Sequence, residues 1–352
     1  RPSAHPLLNP LKRNLKPAIK AIHDTLLTTL ATCGDVNRNV MCNPNPYQSL
    51  IHEEVYKHAA EVAEYFKPKT KAYFEIWLGD ERVVSSDQEE PLYARRYLPR
   101  KFKIAFAIPP YNDVDVFAND LGFIAVEQNG SLLGFNVCVG GGLGSTFGDG
   151  TTYPRLADVI GFVAKSHVVN VAEEIITLQR DFGNRSNRKN ARLKYTIDNL
   201  GLEWFIQELN SRLGWNIESA RPFEFKTNGD SYGWIHGTNK KWFYTMFIEH
   251  GIVADNKSQT LKSALREIAS VHQGDFRLTG NQNLIIGNVP ENEKDTIELI
   301  LKSNGVANEN ANTGLRLNSM ACVALNTCGL AFAESERYLP SLIDRLDVIL
   351  KK

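Results

Sequence analysis

The chain has 352 residues, enough for two domains of roughly 100–200 residues each. Its 40 basic and 40 acidic side chains cancel, and 43% of its residues are hydrophobic, so the composition is globular and argues against a general nucleic-acid binder. No apolar stretch approaches the roughly 20 residues of a membrane span, and the N-terminal segment has no apolar signal core. Five sparse cysteines favour a reducing compartment, which we expect to be the cytoplasm.

Hydrophobic periodicity predicts one long helix and several strands in the first half of the chain. Apolar side chains recur at helical spacing from Ile51 to Phe66, and Pro68 closes that helix. The dipeptide Asn129-Gly130 between two apolar stretches is a strong hairpin signal. The predicted strands cover residues 72–78, 102–108, 123–127 and 132–139.

The second half of the chain predicts a different order of elements. Helices are expected at 168–178 and 202–213, the second ending at Gly214. A hairpin within 232–248 is followed by a helix, two strands and a helix, an order typical of part of a ferredoxin-like sandwich. The fold class is therefore α+β. The last four elements are predicted at 261–268, 275–279, 283–287 and 293–301.

Two short segments resemble one another. One is Asn37-Arg38-Asn39-Val40-Met41-Cys42 and the other is Asn318-Ser319-Met320-Ala321-Cys322, and each precedes a helix that we predict to be rich in Glu. The similarity indicates either a duplicated half-fold or chance.

Cations are concentrated between residues 180 and 194, where six basic side chains accompany one acid, Asp181. Asn184, Asn187 and Asn190 alternate with them. Guanidinium groups and amides together can satisfy several carboxylate or phosphate oxygens, so the segment predicts a polyanionic ligand. A solvated helix face is the alternative.

Lys101 and Lys103 form a second, shorter group. Positions two apart on a strand share a face, so both ammonium groups should point one way and Phe102 the other. The pair predicts a clamp on a small anion, and a solvated strand end is the alternative.

Cys322 and Cys328 are spaced C-x5-C at the start of a predicted helix. An iron–sulfur or zinc site needs about four ligands, and no His or further Cys follows Cys328. From spacing alone, two buried thiols are the simpler interpretation.

The order of these segments resembles one family, the siroheme sulfite and nitrite reductases, and within it the haemoprotein (beta) subunits of assimilatory sulfite reductases. The resemblance runs from about residue 11 to the end of the chain. Its longest motifs are Asp35-Val-Asn-Arg-Asn-Val-Met-Cys42, Gln179-Arg-Asp-Phe-Gly-Asn-Arg185 and Asn318-Ser-Met-Ala-Cys322, with further matches at 97–103, 119–120, 139–143, 188–190, 274–277 and 281–285.

The resemblance implies a fold of ferredoxin-like half-domains and mixed or antiparallel sheets with a pseudo-two-fold repeat. It implies a six-electron reduction of sulfite to sulfide, in sulfate assimilation, at siroheme coupled to a [4Fe-4S] cluster. Siroheme carries many carboxylates, whose burial requires cationic partners. The candidate partners are Arg185, Arg188, Lys189, Asn190, Arg192, Lys194, Arg277, Asn281 and Gln282.

The resemblance also assigns the substrate and cluster residues. Arg38, Lys101 and Lys103 match the family's substrate-pocket cations, which hold the oxyanion, stabilise charge and deliver protons as S–O bonds break. Cys322 and Cys328 match the first two cluster ligands.

The chain departs from the family pattern at both ends. A second cysteine pair of the family has no match before the final Lys352, an upstream arginine segment has none before Leu11, and Asn326 stands where relatives usually have proline. We therefore expect a truncated chain that cannot build the coupled cofactor alone. Its expected parts are a half-domain remnant (1–30), a siroheme and substrate domain (31–231), a second half-domain (232–306) and the start of the iron–sulfur domain (307–352).

Three alternatives remain open at this point. A siroheme nitrite reductase is close, although the presence of both Lys101 and Lys103 favours sulfite. An inactive fragment that binds at most an anionic tetrapyrrole is the second, and an RNA- or phosphate-binding protein is the third. The expected electron donor is an NADPH-dependent flavoprotein subunit rather than ferredoxin, with neither nucleic acid nor membrane as partner.

Overall fold

The structure, a computed structural model, describes residues 12–24, 34–69, 75–78, 81–85, 90–257, 259–306 and 312–350. Its helices are α1 (Leu15–Asp24), α2 (Leu50–Tyr65), α3 (Val168–Phe182), α4 (Leu193–Leu200), α5 (Leu202–Leu213), α6 (Leu261–Val271), α7 (Glu291–Ser303), α8 (Gly314–Leu317) and α9 (Leu339–Leu350). Its strands are β1 (Asn37–Met41), β2 (Glu75–Leu78), β3 (Glu81–Ser85), β4 (Phe102–Ala107), β5 (Tyr111–Asn112), β6 (Leu121–Gln128), β7 (Ser131–Val139), β8 (Asp158–Ala164), β9 (Thr227–Asn228), β10 (Gly233–His236), β11 (Trp242–Met246), β12 (Asp275–Leu278) and β13 (Leu284–Val289).

A five-stranded mixed sheet carries the first part of the chain. Its order is β1-β4-β6-β7-β8, with β1, β4 and β6 parallel and the remaining pairs antiparallel. One face buries three aromatic rings against α2 and α3, with the Phe106 and Phe123 centroids 4.7 Å apart and Phe135 edge-on to both. This buried core fixes the positions of β1 and β4 in the sheet.

The pairing of β1 with β4 contains an irregularity at Arg38. Asn37 lies beside Phe102, whereas Asn39 lies beside Lys103, so two steps along β1 correspond to one step along β4. Arg38 is the extra residue of this β-bulge. Bulges redirect the side chain of the inserted residue, and this one puts a cation at the start of the sheet.

A second sheet, fully antiparallel, has the order β10-β11-β13-β12 and buries its own core against α6 and α7. Polar contacts join the two sheets. The Arg277 guanidinium donates to the Pro44 carbonyl at 2.9 Å, and the Asn281 amide donates to the Asp113 carbonyl at 2.9 Å.

Most predicted elements are confirmed with shifts of a few residues at their ends, and so is the α+β class with mixed and antiparallel sheets. The hairpin turn has positive φ at both Asn129 (53°) and Gly130 (76°), as a tight two-residue turn requires. Gly214 ends α5 in the left-handed conformation (φ 75°). The prediction missed β1, β3, β8, α1, α4 and α9 together with the short elements β5, β9 and α8, and residues 72–74 of one predicted strand lie outside the described residues.

The helix predicted to start at Cys322 is wrong. Residues 319–338 form turns and irregular backbone, and the next helix begins at Leu339. Leu330 and Phe332 are 88% and 101% exposed, so no apolar face packs to stabilise a helix here. The segment 318–322, which resembles 37–42, is therefore not followed directly by a helix as 37–42 is followed by α2.

No helix within the described ranges is both long and apolar enough to cross a membrane.

Candidate anion site

The cations of β1 and β4 converge with one from the segment before α4. Phe102 is 1% exposed in the core, whereas Lys101 and Lys103 on either side of it are partly exposed, as the alternation predicts. Both lysines interact electrostatically with Arg38 and Arg192. Residues that are far apart in sequence thus form one positively charged group.

The electrostatics of the two lysines reflect this crowding. Burial lowers the pKa of Lys101, and the like charges of Lys103 and Arg38 lower it further. Burial and Arg192 also lower the pKa of Lys103, while the nearby Asp120 carboxylate opposes that effect. Each ammonium group therefore releases its proton more readily than an ordinary lysine.

A cavity of about 440 Å³ opens beside this group. Its wall combines cations with small residues of the loop after β7. It is lined by Arg100, Lys101, Gly144, Ser145, Thr146, Thr152, Arg188, Lys189, Arg192, Lys194 and Tyr195.

Four cations in this region have one side-chain hydrogen bond or none within the described ranges. Within the described ranges, Arg100, Lys101 and Lys103 have no side-chain hydrogen bond or ion pair, and Arg38 uses only its Nε, which donates to the Gly34 carbonyl at 2.9 Å. Side chains of this kind are available to an external anion.

Lys194 is different, because the protein itself satisfies its charge. Its side chain is buried, and its Nζ donates to the carbonyls of Gly142 (3.0 Å), Gly144 (2.9 Å) and Tyr153. The ammonium also lies 4.8 Å from the centroid of the Tyr195 ring. Lys194 shapes the loop that lines the cavity and has no N–H left for a ligand.

Arg192 faces the cavity while paired with a buried carboxylate. Its Nε donates to Asp120 Oδ1 at 3.0 Å, and its Nη2 donates to Oδ2 at 2.8 Å and to the Gly141 carbonyl at 3.1 Å. The Asp120 side chain is 1% exposed. Burial raises the pKa of this carboxyl, and the Arg192 charge opposes the rise.

Two further cations pair with acids at the edge of the cavity. Arg188 Nη1 and Nη2 donate to the two carboxylate oxygens of Asp35 at 2.8 and 2.9 Å. Lys189 Nζ donates to Asp149 Oδ2 at 2.9 Å. Both cations are more than half exposed, so water screens these pairs and a carboxylated ligand can share the cations.

Arg185 and Asn190 do not line the cavity. Arg185 donates to the carbonyls of Arg96, Tyr97 and Arg180, and so ties the end of α3 to the segment before β4. The Asn190 amide donates to the Thr151 carbonyl at 2.6 Å and thereby holds the cavity loop. Their assignment as cofactor partners stays a prediction.

The glycines after β7 allow close approach of this loop to its neighbours. A Cβ on Gly141 would lie 2.2 Å from the Phe117 carbonyl oxygen, and one on Gly142 would lie 2.7 Å from an Arg192 nitrogen. Only glycine fits at either position without displacing the backbone or the guanidinium.

Three other predicted cofactor residues lie at the junction with the second sheet. Arg277 pairs with Asp275 at 2.8 and 2.9 Å, Asn281 donates to Asp230 at 2.9 Å, and Gln282 is exposed with φ 66°. They do not line the cavity, and their role stays a prediction.

Cys322 and Cys328 are free thiols, the first exposed and the second half-buried. In the part of the chain that the structure describes, no group of three or more Cys, His, Asp or Glu side chains is placed to hold a metal. Two thiols are half of what a [4Fe-4S] cluster needs, so the described residues do not complete such a site.

Sequence reasoning missed two functional candidates. Arg100 directly precedes the predicted clamp and lines the cavity, and its adjacency to Lys101 was the available signal. Asp120 lies in the matching segment 119–120, but the sequence gives it no role, because its contact with Arg192 joins residues 72 positions apart.

Two family models match the chain. The "Nitrite and sulphite reductase 4Fe-4S domain" matches residues 34–217, and the "Nitrite/Sulfite reductase ferredoxin-like half domain" matches residues 236–304.

Similar proteins carry related names. Proteins named sulfite reductase [NADPH] hemoprotein beta-component from Anoxybacillus flavithermus, Geobacillus thermodenitrificans and Bacillus subtilis are 56%, 57% and 54% identical. Each match covers 97% of this chain, which spans 60% of the relative's length. The solved structure of the Mycobacterium tuberculosis NirA protein is 25% identical with a TM-score of 0.73, over 96% of this chain and 56% of that one. The chain belongs to the nitrite and sulphite reductase family.

Proposed function

We propose that this chain is the part of a sulfite reductase haemoprotein that binds the carboxylates of siroheme and seats sulfite for six-electron reduction to sulfide in sulfate assimilation. The observation that carries the proposal is the electrostatic grouping of Arg38, Arg100, Lys101 and Lys103, three of which are unpaired in the described parts of the chain. Arg100 and Lys101 line the cavity. Uncompensated cations held together by a rigid sheet need an anion.

The residues present fit siroheme. Its carboxylate arms require several cations at the wall of one cavity, which Arg100, Arg188, Lys189 and Arg192 supply. Charge-assisted hydrogen bonds from these groups would offset the desolvation of the arms. Lys194 would contribute indirectly, by holding the loop that closes the wall.

The cluster fits less well. Cys322 and Cys328 are the two thiols that we assign to it, and the remaining ligands are not among the described residues.

The chemistry of this chain's own residues follows from their charge. Siroheme, when bound, would supply the redox chemistry that reduces sulfite. Arg38 would hold an oxygen of the substrate with a fixed positive charge, because guanidinium does not deprotonate in proteins. Lys101 Nζ and Lys103 Nζ would donate protons to the departing oxygens, since burial and mutual repulsion lower the pKa of both groups.

Sulfite is preferred to nitrite in this proposal because its greater negative charge matches the pair of lysines. The names of the relatives include NADPH, which supports an NADPH-dependent flavoprotein as the electron donor. The described cysteines are free thiols, which supports a cytoplasmic location.

Titration of purified chain with siroheme, followed by the absorption of the cofactor, tests the binding part of the proposal. We expect saturable binding that weakens in the double variant Arg100→Gln/Lys189→Gln, which removes two of the cations proposed to bind the carboxylate arms. The control Lys57→Gln/Lys165→Gln removes the same charge from exposed ion pairs with Glu53 and Glu54. Equal weakening by both double variants, or no binding at all, would refute it.

The catalytic part requires the cluster-loaded holoenzyme. Sulfide and ammonia formation should be compared with sulfite and nitrite as substrates, using a chemical reductant so that the electron donor does not limit the rate. Faster sulfide formation is expected, and faster ammonia formation would favour a nitrite reductase instead.

A further inference from the structure

One carboxylate is buried among the cations of the anion site, where its negative charge repels any anionic ligand. Asp120 directly precedes β6, in the gap between β4 and the glycine loop, and its side chain is 1% exposed. An acid at this place reduces the positive potential that would attract siroheme or sulfite. Its presence therefore needs a reason other than the net charge of the site.

The contacts of Asp120 supply that reason. Its carboxylate accepts two hydrogen bonds from Arg192, at 2.8 and 3.0 Å, and a third from the backbone N–H of Lys103 at 3.0 Å. Its carbonyl accepts the N–H of Gly140 at 2.9 Å. One residue thus joins the strand that carries the lysines, the arginine before α4 and the first glycine of the cavity loop.

The two hydrogen bonds from Arg192 to the Asp120 carboxylate fix the plane of the guanidinium. The Nη2 group also reaches the Gly141 carbonyl, and a Cβ on Gly142 would collide with Nη1. The guanidinium is thereby confined between the carboxylate and the loop, with its remaining edge free to face the cavity that it lines.

We propose that Asp120 is a positioning residue that fixes the Arg192 guanidinium and the Lys103 backbone, and so sets the geometry with which the site receives an anion. The proposal rests on the proposed function in taking that anion to be carboxylated siroheme. It predicts that removing this acid weakens anion binding, although the site becomes more positive.

The matched controls are the acids that pair with exposed cations of the same cavity. Asp35→Asn and Asp149→Asn each raise the local charge by one but release only Arg188 or Lys189, whose side chains are more than half exposed. If charge alone matters, all three variants tighten siroheme binding. If Asp120 positions the site, Asp120→Asn weakens it by about tenfold or more, the factor expected for losing charge-assisted hydrogen bonds, and the controls do not.

Asp120→Glu keeps the negative charge and changes only the position of the carboxylate. It also serves as a second test if Asp120→Asn does not fold. It keeps the carboxylate but moves it by one carbon, so a loss of siroheme affinity in this variant arises from geometry. Circular dichroism and thermal melting establish that each variant is folded. Wild-type affinity in Asp120→Glu, or unchanged or tighter binding in folded Asp120→Asn, would overturn the proposal.

A second measurement needs no ligand. Hydrogen exchange of the Lys103 amide and of Arg192 Nε–H, followed by NMR, should accelerate about tenfold or more in Asp120→Asn and not in Asp35→Asn, because only Asp120→Asn removes the charged acceptor of these two groups. Unchanged exchange at both positions would overturn the proposal. Failure of the wild-type chain to bind siroheme would refute the proposed function, while the exchange rates would still decide the role of Asp120.

Discussion

The junction between the two sheets should lose stability as pH rises, because of Asp113. This carboxyl is 7% exposed and accepts one hydrogen bond from the Asn43 amide at 2.7 Å. Burial raises its pKa to about 7, with a further contribution from the negative charge of Asp230 and a smaller one from Asp115. Asp230 is itself held by Thr279, Asn281 and Asn283, so it cannot move away.

The sign and size of the effect follow from proton linkage. Between pH 3.8, the ordinary pKa, and about 7, the folded protein keeps a proton that the unfolded chain has released, so stability falls as pH rises. At about 1.4 kcal/mol per pH unit, the full loss is about 4 kcal/mol above pH 7. Most of it, about 2.5 kcal/mol, develops between pH 5 and pH 8.

Asp113→Asn removes the titrating group and keeps an oxygen for the Asn43 amide. The free energy of unfolding of variant and wild type is measured in urea at pH 5 and at pH 8. We expect the value for the variant minus the value for wild type to be about 2.5 kcal/mol larger at pH 8 than at pH 5. Asp295→Asn, at an exposed position on α7, should show no such widening. A constant difference between Asp113→Asn and wild type at the two pH values would refute the reasoning.

Three further predictions concern other buried or crowded groups. Lys103→Met should raise the pKa of Lys101, since one of the like charges that lower it disappears, and an NMR titration of the lysine Cε signals would detect the shift. Burial lowers the pKa of His52 to about 4, so stability should fall as pH drops from 6.5 towards 4, and His52→Gln should avoid a loss of about 3 kcal/mol in urea unfolding at pH 4. Lys194→Met should reduce the unfolding free energy by about 3 kcal/mol or more by orphaning three carbonyls, whereas Lys189→Met at an exposed ion pair should change it by less than about 1 kcal/mol.

Local rules predicted those parts of the fold that depend on neighbours in sequence. The Asn129-Gly130 turn and the stop at Gly214 are confirmed because backbone conformation alone decides them. The alternation around Phe102 is confirmed for the same reason, as it depends only on strand geometry.

The role of each cation could not be predicted from the sequence. Arg185 and Lys194 belong to the same basic segment as Arg192, yet carbonyls from residues 41 to 89 positions away satisfy them. Composition counts charges but does not reveal which are already compensated by distant backbone. The helix expected at Cys322 is absent because its apolar side chains, such as Leu330 and Phe332, are exposed and have no packing surface to stabilise a helix.

The extra residue at Arg38 makes the length of β1 a constraint on the site. Deleting one residue there would restore a regular ladder between β1 and β4, and every side chain before the deletion would change faces of the sheet. Asn37, now buried beside the Tyr93 hydroxyl, would then turn outward, and the guanidinium would no longer be available beside Lys103. In the proposed function, the number of residues in β1 therefore constrains the position of the Arg38 guanidinium as strongly as the choice of arginine does.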